Sequence, residues 1–208
     1  MALIHRTTLK PTKVELLADW LPTRPWYHGP AAPELAKAGG FRLDDPAGEV
    51  GIEFMIVTGG STAHLVPLTY RGAPLPGAEH ALVGTMEHGV LGTRWAYDGC
   101  HDPVLTAALL ALIEGRAQAQ AQSITDTPDR EVARSYAGAG PVPRLGAPVD
   151  TDDGTEFAVP DGGLVLRLRR VLTAGSTAPD GAVGHVTGAW EQPDGTRVRS
   201  LFAVLQAG

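Results

Sequence analysis

The sequence predicts an α+β fold dominated by antiparallel β-sheet. Three observations carry that expectation. Apolar and polar residues alternate with period two in several stretches, the mark of a sheet with one covered face. Two segments read as capped helices with an apolar stripe. Four of the five Asp-Gly dipeptides lie after residue 150, where turns between strands are expected.

The first helix starts at Thr12-Lys13-Val14-Glu15, a capping box in which the Thr12 hydroxyl and the Glu15 carboxylate satisfy free N–H groups of the opening turn. Val14, Leu17 and Leu21 follow at helical spacing, widened by Leu16 and Trp20. Val50, Ile52, Phe54 and Ile56 share one face of a strand, and Val66, Leu68 and Tyr70 share one face of the next. Leu82 to His88 and Val90 to Tyr97 read as a further pair turning near Gly89. The second helix opens at Asp102-Pro103, with Leu105, Leu109 and Leu112 as its buried stripe and Ala117 to Gln122 as a projecting helical tail. Near the C-terminus, Leu164, Leu166 and Leu168 face opposite to Arg167 and Arg169. Val183–Glu191 and Thr196–Leu205 flank the hairpin signal Pro193-Asp194-Gly195.

Charge divides the chain into three parts. Residues 1–122 carry 9 basic and 12 acidic side chains, residues 123–163 carry 3 and 8, and residues 164–208 carry 5 and 3. The middle part is rich in Pro and Gly with little apolar periodicity. It reads as an acidic linker containing one short helix, capped at Thr127-Pro128. Residues 164–208 read as three antiparallel strands that either complete the first sheet or form a separate unit.

With 17 Lys+Arg against 23 Asp+Glu, the 208 residues carry a formal charge of -6. The absence of a basic block argues against nucleic acid as the main partner. A single cysteine, Cys100, excludes a disulfide framework and a cysteine-based zinc site. No apolar run reaches the roughly 18 residues that span a bilayer, and Met1–Lys10 lacks a signal-peptide core. A cytoplasmic protein without membrane contact is expected. The chain has no asparagine and only three lysines, Lys10, Lys13 and Lys37, which closes any mechanism needing an Asn metal ligand or a later lysine.

Motifs exclude more than they assign. There is no Gly-Lys pair for a P-loop, no G-x-G-x-x-G, no G-x-S-x-G and no H-E-x-x-H. His64, His80, His88 and His101 lack ligand spacing on one element, so no metal is expected. Asp98-Gly99-Cys100-His101-Asp102 fits a turn and a helix cap better than a Cys/His nucleophilic pair. Arg167, Arg169 and Arg170, with Arg197 and Arg199, read as a solvated sheet face. An acid/base group would draw on Glu87, His88, Asp98 and His101.

Val66-Pro67-Leu68-Thr69-Tyr70-Arg71-Gly72-Ala73-Pro74-Leu75, then Ala81-Leu82-Val83-Gly84, then Trp95-Ala96-Tyr97-Asp98-Gly99 before a proline-started helix, resemble the N-terminal cap of actinobacterial maltokinases and related glucosamine kinases. The helix containing Glu15 and the strand from Glu49 to Thr58 fit the same pattern, so the resemblance spans about residues 1–120. It implies a curved antiparallel sheet backed by helices and a link to trehalose and α-glucan metabolism. In that family the cap is joined to a phosphotransferase body, whose chemistry needs a catalytic Asp, an Asn and an Asp for magnesium, and a Lys for the ATP phosphates. This chain has no residues onto which that machinery maps.

A free-standing, non-catalytic cap-like module is therefore expected, one that binds and modulates a partner enzyme of trehalose or α-glucan (maltose 1-phosphate) metabolism and uses no cofactor. The alternative is a small-ligand protein holding a sugar or lipid-like molecule under the curved sheet, with Trp95, Tyr97, Tyr70 and His64 as lining. The candidate ligand or partner surface comprises His64, Tyr70, Arg71, Trp95, Tyr97, Asp98 and His101, with the helix after Asp102 beside it.

Overall fold

The computed structural model describes residues 8–124, 127–160 and 162–208; the reading of Met1–Lys10 and one of the Asp-Gly dipeptides, Asp161-Gly162, fall partly outside them. In chain order the elements are β1 (Leu9–Lys10), α1 (Lys13–Trp20), β2 (Leu35–Leu43), β3 (Gly51–Gly59), β4 (Thr62–Arg71), β5 (Leu82–His88), β6 (Gly92–Asp98) and α2 (Pro103–Glu114). Then come β7 (Gln120–Ala121), β8 (Ala133–Tyr136), β9 (Pro148–Asp150), β10 (Gly154–Val159), β11 (Leu164–Arg169), β12 (Val171–Leu172), β13 (Gly184–Glu191) and β14 (Arg197–Ala207). Antiparallel sheet dominates and the two α-helices are short, so the α+β expectation is met only loosely.

The strands pair in the order β1-β5-β6-β4-β3-β2-β13-β14-β11-β10-β9. One further pairing closes this network on itself. β12, which continues β11, pairs antiparallel with the start of β4 (Val171↔His64, Leu172↔Ala63), and Leu65 N donates to Arg170 O at 2.9 Å. On the opposite side β2 meets β13 at Gly39↔Trp190. The strands after residue 163 thus share a sheet with those before residue 100.

One core fills this ring. Phe41 stacks on Phe54 with centroids 4.6 Å apart, and Phe202 lies 6.1 Å from Phe41. Such pairs add about 0.5–1.5 kcal/mol each beyond the area they bury. Leu105, Leu109, Leu112 and Ile113 of α2 pack into the same cluster. A second core sits on the outer face of β3 and β4, where Met55, Val57, Val66 and Leu68 meet Leu17, Trp20, Leu21 and Trp26. Covered on both faces, β3 and β4 read as near-continuous apolar runs.

The α1 capping box forms as expected: Thr12 N donates to Glu15 Oε2 at 2.7 Å, and Glu15 N donates to Thr12 Oγ1 at 3.3 Å. Thr12→Ala should cost about 1 kcal/mol, read as a lower urea midpoint at unchanged m-value.

Two expectations are corrected, and one strand has no counterpart among them. The helix from Pro103 does not run to Gln122. Gly115 takes a left-handed φ of 78°, and its N–H bonds back to Ala111 and Leu112 carbonyls, ending the helix. The following Gln120 and Ala121 pair with Arg42 and Phe41 as β7. Next, the stretch 123–163 has no helix among its described residues. Pro128 bridges Gln120, β8 pairs with β13, and β9 and β10 pair with each other, because tertiary strand partners satisfy backbone groups that local sequence leaves open. Finally, β2 carries no clear sequence signal. Its Ala38-Gly39-Gly40 core interrupts the alternation with a register shift, and a Cβ on Gly40 would lie 2.2 Å from Phe54 O.

Candidate functional site

Asp98 ends β6, and its carboxylate caps the turn Gly99–His101 by accepting from Cys100 N at 3.1 Å. Arg170 lies between β11 and β12, the strand that closes the ring. The two residues meet in the interior: Arg170 is 0% exposed and Asp98 1% exposed. Arg170 Nη2 donates to both Asp98 oxygens at 2.6 Å, and Arg170 Nε donates to Thr155 Oγ1 at 2.9 Å. The Thr155 hydroxyl in turn donates a hydrogen bond to Asp150 Oδ1 at 2.7 Å. Burial opposes the charged guanidinium, but the Asp98 carboxylate beside it holds it firmly protonated.

A strap of aromatic residues covers this pair. The Trp26 ring lies 4.9 Å from the Arg170 guanidinium and 6.0 Å from the His64 ring, while Tyr27 stands 5.2 Å from His64. His28 Nε2 lies 3.1 Å from the Asp152 carbonyl oxygen. His64 is 1% exposed. Its burial, helped by nearby His28, lowers its pKa to about 4. Among the described residues, Arg170 Nη1, Trp26 Nε1, His64 Nδ1 and Trp20 Nε1 are buried without a hydrogen-bond partner. A buried polar group left unmade costs about 1–3 kcal/mol.

The other sequence-selected residues fall into separate groups. Tyr70 donates to Glu53 Oε2 at 2.6 Å, and the same carboxylate takes Lys13 Nζ at 2.5 Å and Gln122 Nε2 at 3.0 Å. Burial alone would raise Glu53, but Lys13 and the Tyr70 hydroxyl hold it below its ordinary value. Burial and Glu53 push Tyr70 well up. Arg71 clamps Asp102, the N-cap of α2, through two bonds of 2.7 Å. Tyr97 accepts from Leu75 N at 2.9 Å and, with Trp95, is covered by Leu75, Ala78 and Ala81. His101 Nδ1 lies 3.0 Å from His80 Nε2, and burial lowers the His101 pKa.

These placements correct the surface reading. His64, Tyr97 and Asp98 are interior residues, so a partner cannot touch them in the folded chain. Tyr70, Arg71, Trp95 and His101 remain partly exposed. Most of α2 is core, and only Pro103 and Ala107 along it are exposed. Trp95, Tyr97, Tyr70 and His64 do not line a common pocket, because Trp95 and Tyr97 are packed under their own loop. A cleft of about 330 Å³ lies elsewhere, between Tyr136, Val142, Val159, Leu164 and Val183.

Among the described residues, Cys100 is not an activated thiol, and Glu87 and His88 do not meet Asp98 and His101. Burial pushes the Cys100 thiol far up, which keeps it protonated and unreactive. Glu87 accepts from Thr93 Oγ1 at 2.7 Å and His88 Nδ1 accepts from Val90 and Leu91 N–H groups, at the end of the β5–β6 hairpin remote from Asp98 and His101. No group of three or more His, Cys, Asp or Glu among the described residues converges as a metal site. No helix of the described residues is long and apolar enough to cross a membrane.

Sequence reasoning missed Arg170. A signal existed: the alternation of Leu164, Leu166 and Leu168 carries on to position 170, which places Arg170 on the leucine side rather than with Arg167 and Arg169.

Against known proteins, residues 20–102 match the maltokinase N-terminal cap domain family. No curated protein matches the chain. The matched segment runs from Trp20 to Asp102. It includes Trp26, His64 and Asp98, whereas Arg170 and Thr155 lie outside it.

Proposed function

We propose, for a chain whose residues 20–102 match the maltokinase N-terminal cap domain family, that it acts in the cytoplasm as a non-catalytic cap-type module, binding and modulating a partner enzyme of trehalose or α-glucan metabolism. The family match carries this reading. Two further observations support it. Arg71 and Asp102 within the matched segment pair with each other, Asp98 pairs with Arg170 beyond it, and no lysine for ATP phosphates follows Lys37. The partly exposed Tyr70, Arg71, Trp95 and His101 form the contact surface in this reading.

The test mixes the purified chain with purified maltokinase and trehalose-converting enzymes, measuring co-elution and the partner's rate. Co-elution with one of them and an altered rate are expected. Absence of both overturns the proposal, as does ATP-dependent phosphorylation of maltose or glucosamine by the chain alone. A rise in melting temperature with a free sugar, without any partner, favours the small-ligand alternative instead.

A further inference from the structure

We infer that His80 and His101 form a two-histidine site for a divalent transition-metal ion that favours right-angled coordination, nickel(II) or copper(II). This goes beyond the cap reading and does not depend on it. His80 sits in the turn Glu79–Ala81 after β4, and His101 ends the turn Gly99–His101 before α2. Spacing along the chain does not reveal such a pair, because each ligand comes from a different turn. His80 Nε2 and His101 Nδ1 lie 3.0 Å apart. Their rings stand nearly perpendicular, with centroids 4.7 Å apart.

Those two distances fit one shared ion. With metal–nitrogen bonds of about 2.0–2.1 Å, nitrogens 3.0 Å apart subtend roughly 90–97° at the metal. Each nitrogen lies about 1.15 Å from its ring centroid, so lone pairs converging on that ion place the centroids about 4.6–4.7 Å apart, as observed. The near-right angle matches neighbouring positions in the square-planar or tetragonal geometry of copper(II) and nickel(II). Tetrahedral zinc asks for about 109° and nitrogens about 3.3–3.4 Å apart. His80 is exposed and His101 half-buried, so an ion reaches the pair from solvent.

Both turns are held in place by their own surroundings. Ala78 and Ala81, flanking His80, pack with Tyr97, and Gly77 N donates to Glu79 Oε1 at 3.1 Å. Asp98 caps the second turn, and Arg71 clamps Asp102, next to His101. Ligation needs neutral imidazole. Burial, the largest influence on His101, favours its neutral form. The Asp98 and Asp150 carboxylates act on the same ring in the direction that welcomes a cation, with Arg170 opposing them. The ion takes the place of the proton shared by the two nitrogens, and the ring that gives it up carries its proton on its other nitrogen.

The experiment titrates the untagged full chain with nickel(II), and separately with zinc(II), by calorimetry, and records the electron paramagnetic resonance of the chain with copper(II). One nickel bound per chain, no tighter binding of zinc, and coupling of copper to two imidazole nitrogens are expected. His80→Gln should fold, because its side chain is exposed. It and His101→Gln should each weaken nickel binding about tenfold or more. No saturable nickel binding at millimolar concentration, tighter zinc than nickel, a single imidazole on copper, or undiminished binding by His80→Gln each overturns the inference.

Discussion

Asp98→Ala is expected to lower stability by about 3–5 kcal/mol, the cost of stranding one member of a buried ion pair. Asp98 and Arg170 are almost wholly excluded from solvent, so the surviving guanidinium is left with the Thr155 hydroxyl and no counter-charge. Arg170→Met should be similarly severe in the opposite sense, leaving the Asp98 carboxylate with Cys100 N as its remaining donor. The double variant is expected to recover much of the loss, because it removes both charges and leaves a flexible apolar side chain in the space. Urea unfolding of the two single variants and the double gives the coupling energy directly. Single effects below about 1 kcal/mol, the size of an exposed pair, would be incompatible with this arrangement. The consequence is architectural. Asp98 belongs to the family-matched segment and Arg170 to the strands beyond it, so one ion pair ties the two parts of the chain together.

The second large effect is a loss of stability on acidification driven by His64. Its pKa in the folded chain is about 4, below the ordinary 6.5, because burial opposes the charged ring and His28 adds a like charge. Arg170 lies against the Trp26 ring that also contacts His64, and Asp98 is committed to that arginine. In the unfolded chain His64 binds its proton near pH 6.5, and in the folded chain only near pH 4. Between those values the unfolded state carries more protons, so stability falls as pH falls and levels off below about 4. The gap is equivalent to about 3 kcal/mol. His64→Gln should flatten this part of the stability–pH profile, measured by urea unfolding at successive pH values. Glu53 provides the contrast. Its lowered pKa makes its contribution present above about 4.5 and lost at more acid pH, so it should survive in the His64 variant. An identical profile in both proteins would show that His64 is not the group responsible.

Local sequence was a good guide wherever the cause of the structure is itself local. The capping box at Thr12 and Glu15, the Asp102-Pro103 helix start and the Gly195 turn each rest on neighbours within a few residues, and each is present in the fold. The alternation of β3 and β4 likewise told which residues share a face. The candidate site was legible only in fragments. Local pattern marks Asp98 and His64, but as ligand- or partner-facing groups, and it puts Arg170 on a solvated sheet face.

What the chain alone determined is its list of capped helices, alternating strands and turns, its lack of phosphate-binding and nucleophilic motifs, and its resemblance to a kinase cap. Tertiary structure alone decided that β12 closes onto β4, that Gln120 and Ala121 leave the helix to become a strand, and that Arg170 turns inward to Asp98, 72 residues away. The physical reason is common to all three. A two-residue strand or a single arginine has little conformational preference of its own, and its state is set by hydrogen bonds and charge partners that exist only once distant segments have met.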